Sequence, residues 1–261
     1  MDWLTSLPAG AVVALCLAIS VSIAFLARVV VRAVVPVDEH ANVSQIAAPL
    51  MPALGAVFGI LMALTLANEA GQLRTAQDIV ADEAAAASRL AWAATGPGID
   101  SAVIHEALRG YLEDTRSDEW SGDGAAGGDT AVGTDIAALE QAVRAEAAGS
   151  QISSSASTEL LASVDALTTL RRHRVAAADH QLPLLYVVTL VASGAALIVN
   201  AGALAIRASV RATSLVLGLA IVVGMSMGLL FSLSAPWRGP LIVSGEPIDA
   251  VVGDLRAGFF G

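Results

Sequence analysis

The sequence contains long runs of apolar residues separated by one long polar stretch. A membrane-spanning helix needs roughly 20 mostly apolar residues, and four runs meet this length, at about residues 7–35, 46–67, 182–206 and 212–235. The first run is too long for the core of a signal peptide, and Arg28 and Arg32 follow its apolar stretch, so we interpret it as a span. Short loops, "PVDEHANVSQ" and "RASVRA", join the spans in pairs. The pattern predicts two hairpins of membrane helices.

The second span continues as an amphipathic helix beyond the membrane. Apolar residues recur three, four or seven positions apart, at Leu66, Leu73, Ala76, Val80, Ala87 and Leu90. The run ends at "TGPG", where Pro and Gly break the helix. Further helices are predicted at about residues 101–115 and 136–148, followed by one that leads from the Ser-rich "SQISSSAST" to the third span at Pro183. The predicted fold is all-α, a four-helix polytopic membrane protein whose polar insert is formed by extensions of spans two and three.

This pattern divides the chain into four regions. Residues 1–68 form the first hairpin and residues 69–181 an acidic helical insert, with a Gly/Asp-rich loop at 117–135. Residues 182–235 form the second hairpin, and residues 236–261 an interfacial tail. In this tail, Trp237 and Arg238 are expected to anchor the chain at the membrane surface, because an amphipathic ring and a long cation favour that interface.

Composition and charge narrow the class of function. About 56% of the residues are hydrophobic and 15% are charged, which is typical of a membrane protein. The insert holds 18 acidic residues and 8 arginines, so it carries the whole net charge of −10. This charge excludes a basic nucleic-acid surface. No nucleophile and base at catalytic spacing, phosphate loop or metal-ligand cluster is recognisable, so we expect no enzyme, cofactor or metal site.

Three stretches of the chain resemble a known family. "VADEAAAASRL" follows span two with a Glu-Ala pair at Glu83, and "RRHRVAAADHQLP" leads to span three. After span four, the matching frame consists of Leu233, Pro236, Trp237, Gly239, Leu241, Val243, Ser244 and Glu246. In order and spacing these resemble the bestrophin-like family of bacterial membrane proteins, a domain of unknown function. One departure is Ser234-Ala235, where the family has Asp-Arg. The resemblance implies a remote relation to bestrophins, which are pentameric anion channels with an apolar constriction.

Several residues of the spans are candidates for packing or for lining a pore. Gly55 with Gly59, and Gly224 with Gly228, allow close helix approach, either within one subunit or in a homo-oligomer. Pro49 and Pro52 suggest a kinked or broken start of span two, and such a pore helix would have an apolar gate at Phe58 and Met62. The alternative is that these two side chains pack in the bundle or face lipid. Asn200 is expected to hydrogen-bond another helix.

The insert contains one predicted charge clamp. The apolar stripe after span two places Glu83 between Val80 and Ala87, and the stripe before span three leads onto Arg171 and Arg174. A buried carboxylate is costly unless it is paired. We therefore predict that Glu83 meets Arg171 or Arg174 across two helices. The alternative is that one stripe is rotated and the charges face water.

Two functions remain open at this point. The resemblance implies a membrane-embedded homo-oligomeric channel for an inorganic ion, whereas the acidic insert also suits a non-conducting sensor or scaffold that binds a partner. The implied location is the bacterial cytoplasmic membrane. Arginines beside both short loops favour an extracytoplasmic insert by the positive-inside rule, although the insert side also carries arginines close to the spans, and the relation to bestrophins would place the insert in the cytoplasm.

Overall fold

Eight helices make up most of the part of the chain that the structure describes. A computed structural model describes residues 7–36, 40–120, 129–178, 182–205, 210–234, 237 and 241–261. Within them no strand occurs, so the predicted all-α fold is confirmed. The helices are α1 (Ala9–Val34), α2 (His40–Ala93), α3 (Ser101–Asp118), α4 (Thr130–Ala147), α5 (Ser154–Ala178), α6 (Leu184–Leu204), α7 (Val210–Leu233) and α8 (Glu246–Arg256).

The four predicted spans are all present as helices. Stretches long and apolar enough to cross a membrane lie in α1, α2, α6 and α7. Only 17–39% of the residues in these stretches are buried within the chain, as expected where lipid or another subunit covers the remaining surface. Together with the helical insert, these spans give the multi-pass membrane architecture expected from the sequence.

The longest helix, α2, contains both the second span and its extension. It runs for 54 residues without interruption, about 80 Å at 1.5 Å per residue. Pro49 and Pro52 lie inside it, so of the kink or break predicted at the start of this span, the break is not observed. Asn200 of α6 donates from Nδ2 to the carbonyl oxygen of Ala47 at 3.0 Å.

The chain divides into two units. The first comprises the described residues within 1–71, 181–235 and 239–241. In it α1 packs against α6 and α7, and α6 also contacts α7. Its buried apolar cluster includes Phe58, Met62, Leu190, Ile198, Val223 and Leu230.

The second unit comprises the described residues within 72–180, 236–238 and 242–261. Asp100 and Asp129 cap α3 and α4, since each side chain accepts a hydrogen bond from the backbone N–H two residues on. The helices then bury one continuous apolar core, which includes Leu90, Leu108, Leu112, Leu139, Leu160 and Leu167. This unit holds most of the predicted acidic insert.

Two boundaries differ from the sequence analysis. The expected interfacial tail instead contains α8, whose Ile248 and Val251 are buried in the second unit. This helix begins at Glu246 with a Pro in its first turn, where Pro is favoured. The expected loop at 117–135 is shorter, because α3 continues to Asp118 and α4 begins at Thr130. Residues 121–128 of that loop lie outside the described residues.

Candidate functional site

The membrane part of α2 has one buried side. Phe58 and Met62, the predicted gate residues, are only 7% and 6% exposed. A Cβ atom built on Gly194 of α6 would lie 3.2 Å from the Phe58 ring, so this ring packs closely against α6. Phe58 and Met62 thus lie in the core of the chain itself, which agrees with the alternative that they pack in the helix bundle and do not line a pore.

The opposite side of α2 exposes larger apolar residues. Val57, Ile60 and Leu64 are 50%, 62% and 66% exposed. Their spacing of three and four places them on one helix face, and Ile46 and Leu50 continue this face toward the start of α2. We call these five residues the exposed apolar face of α2. In a membrane protein such a face meets lipid, another subunit or the lumen of a pore.

The two predicted glycine pairs occupy different environments. A Cβ on Gly224 would lie 2.9 Å from Leu17 Cα, and one on Gly228 would lie 2.7 Å from Val13 Cα. This pair therefore packs α7 against α1 within the chain. A Cβ on Gly55 or Gly59 would meet no atom within 4 Å in the part of the chain that the structure describes. Only the α2 pair is open to another molecule.

Asn200, the polar residue expected to hydrogen-bond another helix, has a packing role. Asn200 is 9% exposed and hydrogen-bonds the Ala47 carbonyl, with the Met51 Sδ 3.5 Å away. It thus joins α6 to α2, as expected for a polar group between membrane helices.

The predicted charge clamp is present in the second unit, and Arg174 is the partner. Glu83 and Arg174 side chains are both fully buried, and Arg174 Nε donates to Glu83 Oε2 at 2.6 Å. Nη2 of the same guanidinium donates to Glu83 Oε1 at 3.4 Å. The contact links α2 to α5 where their apolar stripes meet.

Arg171 contacts a different carboxylate, Glu119, just after α3. Its Nη2 donates to Glu119 Oε1 at 3.0 Å, and that oxygen also accepts from the Asp129 backbone N–H at 3.1 Å. Nη1 of Arg174 lies within ion-pair distance of Glu119 Oε2. Two carboxylates thus face two guanidinium groups. The charges compensate one another, as buried charges require.

Two aromatic residues complete this cluster. The Tyr111 hydroxyl donates to Glu83 Oε1. The Trp120 ring has the Arg174 guanidinium carbon 5.1 Å from its centroid, which is cation–π geometry, and its Nε1 donates to the Val243 carbonyl oxygen at 3.0 Å. We call Glu83, Tyr111, Glu119, Trp120, Arg171 and Arg174 the charge network. It holds α2, α3, α5 and the chain before α8 together.

Ionisation in the network follows from burial and neighbouring charge. Burial by itself would lower the pKa of Arg174, but the adjacent Glu83 carboxylate, its hydrogen bond and Glu119 outweigh this and raise that pKa. Burial raises the pKa of Tyr111 well above its ordinary value, and the Glu83 charge adds to the effect. Arg174 therefore stays cationic and Tyr111 stays a neutral donor.

Sequence reasoning missed three members of the network. Tyr111, Glu119 and Trp120 were not singled out, and the last two were placed in the loop. A signal was available, because Ile104, Leu108 and Tyr111 continue at helical spacing to the buried Thr115 and Glu119. That continuation places Glu119 on the core side of α3.

Of the two predicted interface anchors, Trp237 is among the described residues and Arg238 is not. Trp237 is 6% exposed, and its ring packs edge to face against Trp120 with the centroids 5.9 Å apart. The structure therefore places this ring in a protein core instead of on an exposed surface. The indole ring is largely apolar, so it is stabilised by apolar contacts both at a membrane surface and in a protein core.

Comparisons with known proteins agree on the fold. The model of the bestrophin-like domain family matches residues 18–248. The crystal structure of a point mutant of a bacterial bestrophin homologue from Klebsiella pneumoniae superposes with a TM-score of 0.72 at 10% identity and covers 94% of this chain and 99% of that one. No curated protein matches. At this identity the structural match concerns the fold alone, whereas the family match extends over most of the 261 residues, and so the chain belongs to the bestrophin-like family.

Proposed function

We propose that the chain is one subunit of a homo-oligomeric ion channel in which α2 lines the ion path. The observation that carries the proposal is that α2 has two open surfaces on different sides. A Cβ built on Gly55 or Gly59 would meet no atom within 4 Å among the described residues, and the exposed apolar face lies on another side of the same helix. A glycine surface suits close contact with another copy, and bulky apolar residues suit a constriction that gates by dewetting.

Family membership supports a channel in general terms. The bestrophins that this family resembles are pentameric anion channels with an apolar constriction. The charge network supports a rigid subunit, because it fixes the extension of α2 to α3 and α5 through buried ion pairs. Gating by a helix requires that the helix be held at a defined position.

The charge of the acidic insert indicates which ions the proposed channel would select. Its 18 acidic residues and 8 arginines would concentrate cations near an ion path and repel anions. We therefore propose that the channel prefers cations, unlike the anion channels that the family resembles.

Planar-bilayer recording of the purified protein tests this proposal. In asymmetric KCl we expect channel currents whose reversal potential lies on the side of K⁺. Reversal on the side of Cl⁻ would contradict cation preference but not conduction. Folded, oligomeric protein that passes no current would contradict the channel.

Paired variants test which side of α2 lines the path. Ile60→Ala with Leu64→Ala should change single-channel conductance at an unchanged melting temperature, because both side chains are exposed in the subunit. Phe58→Ala with Met62→Ala, the lining predicted from sequence, should lower the melting temperature, because both are buried. A conductance change confined to the second pair would restore Phe58 and Met62 as the lining residues.

The alternative function is a non-conducting scaffold or sensor whose acidic insert binds a partner. The net charge of −10, all of it in the insert, favours this alternative. It predicts no current in bilayers, together with salt-sensitive binding of a basic partner.

A further inference from the structure

The first unit contains a cavity that the proposed channel does not use. It has a volume of about 140 Å³ and lies among α1, α6 and α7. Its walls are mostly apolar, and the residues that matter here are Val21, Phe25, Val216 and Leu217, with Arg28 and Thr213. A cavity of about 150 Å³ is large enough for one benzene. This one therefore accepts a short hydrocarbon segment and not a whole lipid.

Arg28 places a positive charge on this apolar cavity. Its Nη1 donates to Thr213 Oγ1 at 2.6 Å, but a hydroxyl does not neutralise a guanidinium. Its Nε is buried, and no acceptor lies within reach among the described residues. No carboxylate is among the residues that line the cavity. Since a buried charged donor without an acceptor is unfavourable, the geometry calls for an anion at this point.

The position of Arg28 indicates where that anion comes from. Arg28 lies about 28 Å along α1 from Ala9 at 1.5 Å per residue, whereas the hydrocarbon core of a bilayer is about 30 Å thick. With the start of α1 at one edge of that core, the guanidinium lies near the other edge, at the depth of lipid headgroups. Guanidinium groups bind phosphate through paired hydrogen bonds.

We propose that this cavity holds part of one anionic phospholipid, whose phosphate binds Arg28 and whose acyl chain starts against Val21, Phe25 and Leu217, while the rest of the lipid stays in the bilayer. An apolar ligand alone would leave Arg28 Nε without an acceptor, and inorganic phosphate alone would leave the apolar walls uncovered. Because the lining contains a cation and no carboxylate, phosphatidylglycerol fits better than phosphatidylcholine, whose choline would lie near the guanidinium.

Native mass spectrometry of the detergent-solubilised chain tests the site. Phosphatidylglycerol, phosphatidylcholine and inorganic phosphate are added separately to wild-type protein, Arg28→Gln and Arg32→Gln. Arg32 is the matched control, because it lies one turn further along α1, is exposed and does not line the cavity. We expect one tightly held phosphatidylglycerol per subunit in wild type and Arg32→Gln, and roughly tenfold weaker binding in Arg28→Gln, as for loss of a charge-assisted hydrogen bond.

A second variant separates a cavity from general charge attraction. Val216→Phe leaves Arg28 in place but fills the cavity, so it should also release phosphatidylglycerol and abolish the rise in melting temperature that this lipid causes. Equal lipid binding by Arg28→Gln and Arg32→Gln would overturn the proposal. So would full binding by Val216→Phe, or inorganic phosphate that competes as well as the lipid does. Equal affinity for phosphatidylcholine would overturn the preference for an anionic headgroup.

Discussion

At the scale of single residues, the charge network is the feature with the clearest consequences. Glu83 and Arg174 are fully buried, and Arg174 is shared between Glu83 and Glu119. Removal of one partner from a buried ion pair costs about 3–5 kcal/mol because the other charge stays behind. The two partners here are not equivalent. Loss of Glu83 leaves Arg174 with Glu119, whereas loss of Arg174 leaves two carboxylates with Arg171 alone.

We predict that Glu83→Ala lowers the free energy of unfolding by about 3 kcal/mol and Arg174→Ala by about 5 kcal/mol, the two ends of that range. The double variant should cost less than the sum, since the two residues contact each other. Chemical denaturation in detergent measures all three. Glu106→Ala is the control, because its partner Arg109 is at the surface and the loss there should be much smaller. Small and additive losses would show that the pair contributes nothing to stability.

Tyr111 makes a prediction about high pH. Burial raises the pKa of Tyr111 above the ordinary value of 10.0, with a further contribution from Glu83. The unfolded chain therefore loses this proton at lower pH than the folded chain does. The contribution to stability is complete below about pH 10 and is lost as the pH rises beyond it. Tyr111→Phe should make stability fall less steeply above pH 10, as measured by unfolding at several pH values. An unchanged slope would contradict the burial of the phenol.

At the scale of elements, the paired glycines of α2 and of α7 have different surroundings. Gly228 lets α7 touch the backbone of α1, whereas Gly59 faces open space in the described chain. The same spacing of glycines therefore produces a contact within the subunit in one helix and a free surface in the other.

We predict that Gly228→Ala lowers subunit stability by about 1–3 kcal/mol, because the new methyl group would meet the backbone at Val13, which cannot give way. Gly59→Ala should leave subunit stability unchanged or raise it by up to about 1 kcal/mol, since Ala favours a helix. Thermal unfolding of the two variants in one detergent makes the comparison. Equal losses would indicate that Gly59 is also packed inside the subunit.

At the scale of the whole molecule, the open surface of α2 concerns assembly. We predict a homo-oligomer whose mass by light scattering falls on Gly59→Leu, because the larger side chain keeps neighbouring helices apart. Gly218→Leu is the matched control, since a side chain at Gly218 of α7 also meets nothing within 4 Å in the described chain. A monomeric wild-type protein, or an equal fall in mass with the control, would contradict this interface.

Orientation in the membrane is a second property of the whole molecule. Arg28, Arg32, Arg207 and Arg211 flank the short loops, so the positive-inside rule predicts these loops in the cytoplasm and the insert outside. A reporter inserted at Gly127, a position outside the described residues, should be active only in its extracytoplasmic form. Activity of a cytoplasmic reporter at that position would reverse the orientation.

The four spans, the all-α class and the two helix faces that carry Glu83 and Arg174 were predictable from the amino-acid sequence. Each of these depends on contrast between apolar and polar residues, either along the chain or around a helix. Outside the membrane that contrast marks the buried side of a helix, and a costly buried carboxylate then calls for a cation nearby.

Where this contrast is missing, only the packing of the folded chain shows which side chains are buried. In the span of α2 every face is apolar, so periodicity could not tell the buried Phe58 and Met62 from the exposed Ile60 and Leu64. Similarly, Arg171 and Arg174 are one turn apart on one helix, and only packing showed that Arg174 meets Glu83 while Arg171 meets Glu119. The short α8 was hidden because Pro and Gly begin turns and helices alike. Contacts between residues distant in the chain settled each of these points.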